Sequence, residues 1–460
     1  MTGRLVVVSN RVPSDGPPSG GLVVALHDCL HENGGVWYGT SGQINDAPSD
    51  GFSDVAGDGY DMRTFDLTQA EHDGYYLGYA NSVLWPLCHR RADLMALSTG
   101  DFETYIAVNR RLAKMMAREL RPDDQVWIHD YHFLPLAACL RELGVTATIG
   151  FFHHIPFPAV HDLLALPQHH IFPQWIASFD LVGLQTQRDV AAALEMYRSL
   201  VGAEQLRDGS LQYRGRNFEI RSFPIGIDVD AFAKEAGRRD GRALLNLATD
   251  ERLVIGVDRL DYSKGLDNRL SAFGQYLEAR EDGDPRASLL QIAPPTREAV
   301  TAYQNIRSEM ERISGKVNGL HSDLDWTPIR YIHRGIPRDT LAALYRAAAV
   351  GFVTPFADGM NLVAKEYVAA QSHEDPGVLI LSQFAGAAEQ MTSALIVNPY
   401  DIGEMAAALR TALSMPLAER RERHAALFKV VQRDDIGHWT DSYLAAMARI
   451  AHKPLVAEAV

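Results

Sequence analysis

The sequence predicts an α/β protein built from two parallel-sheet halves. Short apolar runs alternate with longer amphipathic stretches along the whole chain, with no short repeat and no low-complexity segment. The alternation breaks near Asp228 and starts again at Leu253. A length of 460 residues with 47% hydrophobic and 22% charged content suits two large domains. The expected division is 1–228, 229–434 and a last helical segment, 435–460, that packs back on the first half.

In the first half, Leu5 to Val8 reads as a strand, Ser9-Asn10-Arg11-Val12-Pro13 through Gly20-Gly21 as a loop, and Leu22 to Leu30 as a helix. A glycine pair between strand and helix lets backbone approach a phosphate, with Arg11 supplying charge, although the spacing is not the dinucleotide fingerprint. Two further strands end in the polar clusters His129-Asp130-Tyr131-His132 and His153-His154-Ile155-Pro156. Ligands of open α/β sheets gather outside the carboxyl ends of strands, which makes Asp130 and His154 candidates. Tyr75-Tyr76 and Trp85-Pro86 carry rings that either line a sugar site or fill the core. The histidines at 129, 132, 153, 154, 169 and 170 have no HExxH or Cys/His spacing, so no metal site is expected. Glu219 to Ile227 reads as the last strand of this half. Asp228-Val229-Asp230 has the form of a metal-binding Asp-X-Asp, but it precedes a helical stretch at a domain joint and is read as a cap.

The second half opens with the strand Leu253 to Asp258, which runs into Arg259-Leu260-Asp261-Tyr262-Ser263-Lys264-Gly265. Arg259 and Lys264 share one strand-to-helix loop, and a guanidinium fork with a compact ammonium suits two adjacent phosphates. Leu289 to Pro294 is another strand, with Arg297 opening the helix behind it. A cation there opposes the helix dipole and needs a reason, one of which is an anionic substrate. Strands at Ile329–Ile332 and Gly377–Leu381 follow, then helices from Ile402, from Leu417 and across Ile436 to Ile450.

Between them, Val350 to Glu366 reads as a strand, a tight loop holding Asp358 and Gly359, and a helix with Asn361 as N-cap. The first-turn amides of Leu362 and Val363 have no partner inside such a helix and offer an anion seat. Glu366 lies one turn after Leu362 on the same face, placed to accept from a diol. A phosphate seat, one carboxylate ahead of it and a second behind it suit a nucleotide-sugar donor.

The bounds agree with a cytoplasmic enzyme. No apolar run approaches the roughly 20 residues that span a bilayer, and the start is too soon polar for a signal peptide. Cys29, Cys88 and Cys139 are widely spaced and point to a reducing compartment. A net charge of −14 argues against a nucleic-acid or membrane-surface binder. No cofactor is expected.

Six segments together resemble the trehalose-6-phosphate synthases, glycosyltransferase family 20: Val6-Val7-Val8-Ser9-Asn10-Arg11, Val83-Leu84-Trp85-Pro86, Trp127-Ile128-His129-Asp130-Tyr131-His132, His154-Ile155-Pro156-Phe157-Pro158, Arg259 to Gly265, and Asp358 to Glu366. The resemblance runs over essentially the whole chain. It implies a GT-B fold, two Rossmann-like domains facing a cleft, and retaining transfer of glucose from UDP-glucose to glucose 6-phosphate. By motif, Arg259, Lys264, the Leu362 and Val363 amides and the Gly21 backbone would hold the diphosphate, and Glu366 the ribose. Asp358 with the Gly359, Met360 and Asn361 amides would bind the transferring glucose, and His154 its 6-hydroxyl. Ile292, Pro294, Ile336 and Leu341 would form the base pocket; Arg11, Tyr76, Trp85, Asp130 and Arg297 would hold glucose 6-phosphate. A homo-oligomer is compatible with it. The chain departs from the family on the acceptor side: Gly39-Thr40-Ser41-Gly42 replaces the usual Gly-Trp-Ser-Gly, and the Arg11 to Gly21 loop is short. Glycerol 3-phosphate is therefore the alternative acceptor, giving a glucosylglycerol-phosphate synthase. A catalytically silent sugar-phosphate sensor is the alternative from another class; the presence of Arg259, Lys264, Asp358 and Glu366, and the expectation of no regulatory domain after Val460, speak against it.

Overall fold

The computed structural model describes residues 3–13, 21–281, 283–297 and 301–451. The chain divides into two compact units, Met1–Phe223 with Trp439–Val460, and Pro224–His438. Among the described residues, no helix is long and apolar enough to cross a membrane.

The first unit holds β1 (Leu5–Arg11), β2 (Val36–Asn45), β3 (Ser53–Ala56), β4 (Asp61–Thr68), β5 (Gln125–His129), β6 (Thr148–Phe152), β7 (Leu181–Leu184), β8 (Glu204–Gln205), β9 (Leu211–Tyr213) and β10 (Arg216–Ser222). They form one sheet in the order β3-β4-β2-β1-β5-β6-β7-β10-β9-β8. From β4 to β10 every pairing is parallel, and antiparallel strands finish both edges. Its central strands bury both faces, so they read as unbroken apolar runs: Val6, Val7, Val8, Trp127 and Ile128 are all fully buried.

The expected strand Glu219–Ile227 ends at Ser222, because pairing with β7 stops there. The segment beyond it enters the second unit and packs on the later connection: a Cβ at Gly226 would lie 2.3 Å from the Asp434 carbonyl oxygen, and Ile436 N–H donates to the Ile227 carbonyl at 3.2 Å. Asp228 caps the helix Val229–Ala236 by accepting from the Ala231 amide at 3.0 Å, as the capping reading expects.

The second unit holds β11 (Arg252–Val257), β12 (Ala287–Ile292), β13 (Ile329–Ile332), β14 (Val350–Val353), β15 (Val378–Ser382) and β16 (Leu395–Val397), all parallel in the order β13-β12-β11-β14-β15-β16. Strand order reverses at β1 in the first unit and at β11 in the second. In each unit by itself the switch point is the place where doubly wound sheets open a ligand-binding crevice.

The helix Ile436–Ala451 seals the first unit from Trp439 onward. Tyr443 stacks on Trp127 at 4.5 Å and donates to the Phe151 carbonyl at 3.0 Å. Glycines on the strands beneath make room for it: a Cβ at Gly183 would lie 2.7 Å from ring carbons of both Phe152 and Tyr443. Gly183→Ala is therefore expected to cost about 1–3 kcal/mol through overpacking, measured as a fall in the urea midpoint of this unit.

Candidate active site

The second unit's half-site is made where the loops after β11 and β14 meet. Asp261 accepts from the Ser263 amide at 2.9 Å and starts a single tight turn, Tyr262–Lys264. Gly265 then takes φ 60°, and its missing side chain matters twice, since a Cβ would also lie 2.6 Å from the Thr354 carbonyl oxygen. That approach lets the Phe356 amide donate to the Ser263 carbonyl at 2.8 Å and brings Lys264 Nζ to 2.6 Å from Asp358 Oδ2. Asn361 Nδ2 donates to the same carboxylate oxygen at 3.0 Å, while its Oδ1 accepts from the Ala364 amide at 3.1 Å. Asn361 thus caps the helix Leu362–Ala370 from the left-handed region, φ 76°, rather than from the extended backbone usual at an N-cap. Leu362 and Val363 occupy the first two helical positions, whose amides lie outside the helix's own ladder. Arg259 is exposed on the β11 loop, five positions before Lys264.

Around this seat, Glu366 is half-buried on the same helix, and desolvation raises its carboxyl to about 7 against the opposing pull of Arg338. Ile292 is buried, and Pro294, Ile336 and Leu341 are half-buried. The carbonyls of Ile292 and Pro294 accept from the Asp258 and Leu260 amides. Arg297, expected to open the helix behind β12, lies in the left-handed region at φ 48° ahead of the described helix Thr301–His321; residues 298–300 are outside the described residues. Its Nη1 donates to the Tyr303 hydroxyl at 2.7 Å and stands 3.8 Å from Asp261. The charge that sequence reasoning left to an anionic substrate thus already faces a carboxylate.

The first unit's half-site gathers after β1, β5 and β6. Arg11 ends β1 and is exposed. Its guanidinium lies over Gly42, where a Cβ would come within 2.7 Å of Cζ. Thr40, in the departing motif, is buried and donates to the Asn10 carbonyl at 2.6 Å. Tyr76 sits in a π-helix, His72–Leu84, and stacks on His132 with ring centroids 5.7 Å apart. Trp85 is buried and stacks on His89 at 4.1 Å. Asp130 takes φ 74°, donates its amide to the Phe152 carbonyl at 2.8 Å and accepts from the His154 amide at 3.3 Å. The His154 ring is half-buried, 3.0 Å from His129, and burial pushes it down to about 3. Gly21 heads the helix Gly21–Asn33, and residues 14–20 of the preceding loop are outside the described residues. No group of three or more His, Cys, Asp and Glu side chains in a metal-holding arrangement occurs among the described residues.

The sequence model of Glycosyltransferase family 20 matches residues 10–449. The chain belongs to glycosyltransferase family 20. It is 43% identical over 454 residues to the trehalose-6-phosphate synthase of Klebsiella pneumoniae subsp. pneumoniae, covering 97% of this chain and 96% of that protein. Its structure is similar to the α,α-trehalose-phosphate synthase (UDP-forming) of Burkholderia vietnamiensis, at 43% identity and TM-score 0.96, covering 99% of each chain. It is also similar to the Burkholderia xenovorans enzyme in complex with glucose-6-phosphate, at 44% identity and TM-score 0.91, over 97% of this chain and 100% of that one.

Sequence reasoning passed over a residue on which this family 20 half-site rests. Arg269, fully buried on the helix Leu266–Glu278, donates to Asp258 at 2.6 Å, Gln291 at 3.1 Å, Thr354 at 3.0 Å and the Lys264 carbonyl at 3.4 Å. One guanidinium therefore ties together the ends of β11, β12 and β14. The available signal was an arginine between Leu266 and Phe273 on the core-facing side of an amphipathic helix. Backbone strain also marks the site: Asp130, Arg297 and Asn361 are three of the six described non-glycine residues with positive φ. Arg269→Met would leave Asp258 buried without its counter-charge and is expected to cost about 3–5 kcal/mol in denaturant unfolding.

Proposed function

We infer that this chain is a retaining glucosyltransferase that moves glucose from UDP-glucose to glucose 6-phosphate, releasing UDP and α,α-trehalose 6-phosphate. The observation that carries this reading is the joined β11 and β14 loops, with cationic Lys264, carboxylate Asp358 and first-turn amides at one switch point, in a chain similar over nearly its whole length to UDP-forming synthases.

In this reading the diphosphate meets Arg259, Lys264 and the Leu362 and Val363 amides, which neutralise charge as the bond to the glucosyl carbon breaks. Asp358 is held by Lys264 and Asn361, which suits a carboxylate that binds sugar hydroxyls rather than one that attacks the glucosyl carbon. Retention then follows from front-face displacement. The acceptor hydroxyl bonds to the carbon on the side the diphosphate leaves, and its proton passes to the departing phosphate oxygen. Catalysis is positioning plus charge stabilisation. His154 addresses the donor's 6-hydroxyl; Arg11, Tyr76, Trp85, Asp130 and Arg297 hold the acceptor. The reading places the enzyme in the cytoplasm, supported by three free cysteines whose thiols burial pushes up, Cys29 to about 12 and Cys139 to about 11.

Three measurements test this. UDP release assayed with glucose 6-phosphate, glucose and glycerol 3-phosphate should favour glucose 6-phosphate, with the product identified by mass and anomeric configuration; preference for glycerol 3-phosphate would overturn the acceptor assignment. Arg259→Ala should cost roughly 2–4 kcal/mol of transition-state stabilisation, about 10- to 10³-fold in rate, and unchanged turnover would remove Arg259 from that role. Because burial pushes the Glu366 carboxyl up to about 7 and its ionised form is the stronger acceptor for the ribose hydroxyls, donor KM should fall as pH rises through that value. Glu366→Gln should abolish the dependence.

A further inference from the structure

We propose that His129 is a positioning residue: its Nδ1–H donates to Nε2 of His154 and fixes His154 in the tautomer that carries its proton on Nδ1, presenting an N–H donor to the substrate. The inference rests on the reading in which His154 addresses the primary hydroxyl of the transferring sugar.

The geometry begins with the sheet. β5 and β6 are adjacent and parallel, with His129 opposite Phe152, so His154 follows two residues after its partner strand's last position. His129 Nδ1 and His154 Nε2 are 3.0 Å apart, with ring planes inclined by 28°. Two ring nitrogens at that distance must share one proton, one as donor and the other as acceptor.

Burial decides which is which. His129 is 1% exposed, and its Nε2 is buried with no hydrogen-bond partner among the described residues. What surrounds the ring is aromatic: Trp127 at 4.6 Å, with Phe152 and Trp439 at 6.4 Å. A proton on His129 Nε2 would bury an N–H with no acceptor among the described residues, while Nδ1 has the His154 imidazole nitrogen within reach. A bare lone pair in the same place is the cheaper orphan. His129 therefore keeps its proton on Nδ1 and spends it on His154. Desolvation drives both rings below the usual imidazole range, so neither gains a second proton near neutrality.

His154 is then an acceptor toward His129 and a donor on its other side. Its main chain is held at Asp130 by the 3.3 Å amide bond, and Trp439 packs 6.2 Å from its ring. A hydroxyl that meets Nδ1–H must accept, which obliges it to send its own hydrogen elsewhere. The pair would thereby set the orientation of the 6-hydroxyl as well as its position.

The test uses the full chain labelled with ¹⁵N-histidine at neutral pH, with ring nitrogens assigned from His129→Phe and His154→Gln. Both rings are expected to show a protonated Nδ1 and a bare Nε2; a proton on Nε2 of His154 would overturn the proposal. His129→Phe keeps an aromatic ring in the stack and removes the donor. It should lower kcat/KM for UDP-glucose about 5- to 50-fold, the range of a hydrogen bond lost or misdirected at a substrate hydroxyl, yet change kcat/KM by less than about twofold for UDP-6-deoxyglucose. Wild-type-like kinetics with UDP-glucose would contradict it. The underlying reading fails separately: His154→Ala losing equally with both donors would remove the 6-hydroxyl contact, whereas the ¹⁵N pattern reports the tautomer alone.

Discussion

The second unit's candidate half-site hangs on one contact, the 2.6 Å ion pair between Lys264 Nζ and Asp358 Oδ2. Its two side chains are only 10% and 15% exposed, so the pair forms in surroundings where water screens little. It joins loops 94 residues apart in sequence, and around those loops stand Arg259, Lys264 and the Leu362 and Val363 amides, expected at the diphosphate, and Asp358, expected at the glucosyl ring. The contact exists because β11 and β14 are neighbours in the sheet and because Gly265 lets the backbone after Lys264 press against Thr354. Below it Arg269 holds three strand ends at fixed spacing. A buried cation of this kind contributes less as net stability than as geometry, since its desolvation offsets much of its attraction to Asp258.

The same logic recurs in the first unit with different chemistry. There the strand ends are held by the left-handed turn at Asp130, the His154 amide bond to the Asp130 carboxylate, and the histidine pair packed beside Trp439. Each unit thus places its working residues at its own switch point. One gathers Arg259, Lys264 and helix amides, the other Arg11, Asp130 and the histidine pair. That division suits a reaction whose leaving group is a dianion and whose acceptor is a sugar phosphate.

What could be read in advance was what depends on nearby residues. The strand, loop, cap and helix of Val350–Glu366 follow from local rules, and the structure reproduces them with Asn361 as cap. The parallel α/β class followed from alternation alone. Features set by distant partners were not legible. Nothing in Val36–Asn45 or Asp61–Thr68 announces strands that widen the first sheet, because their ladder partners lie elsewhere. The π-helix that carries Tyr76 follows no local propensity rule. Gly42 is explained only once Arg11 lies over it, and Arg297 only once Asp261 faces it. His129 looked like one more histidine in a cluster until β5 and β6 were placed side by side.

We infer that the β11 and β14 loops form the diphosphate seat. A crystal structure of this chain with UDP bound tests it most directly. The account predicts phosphate oxygens within hydrogen-bond distance of Lys264 Nζ, the Arg259 guanidinium and the Leu362 and Val363 amides, with the ribose diol on Glu366. A diphosphate seated away from these groups, with the Lys264–Asp358 pair untouched, would contradict it.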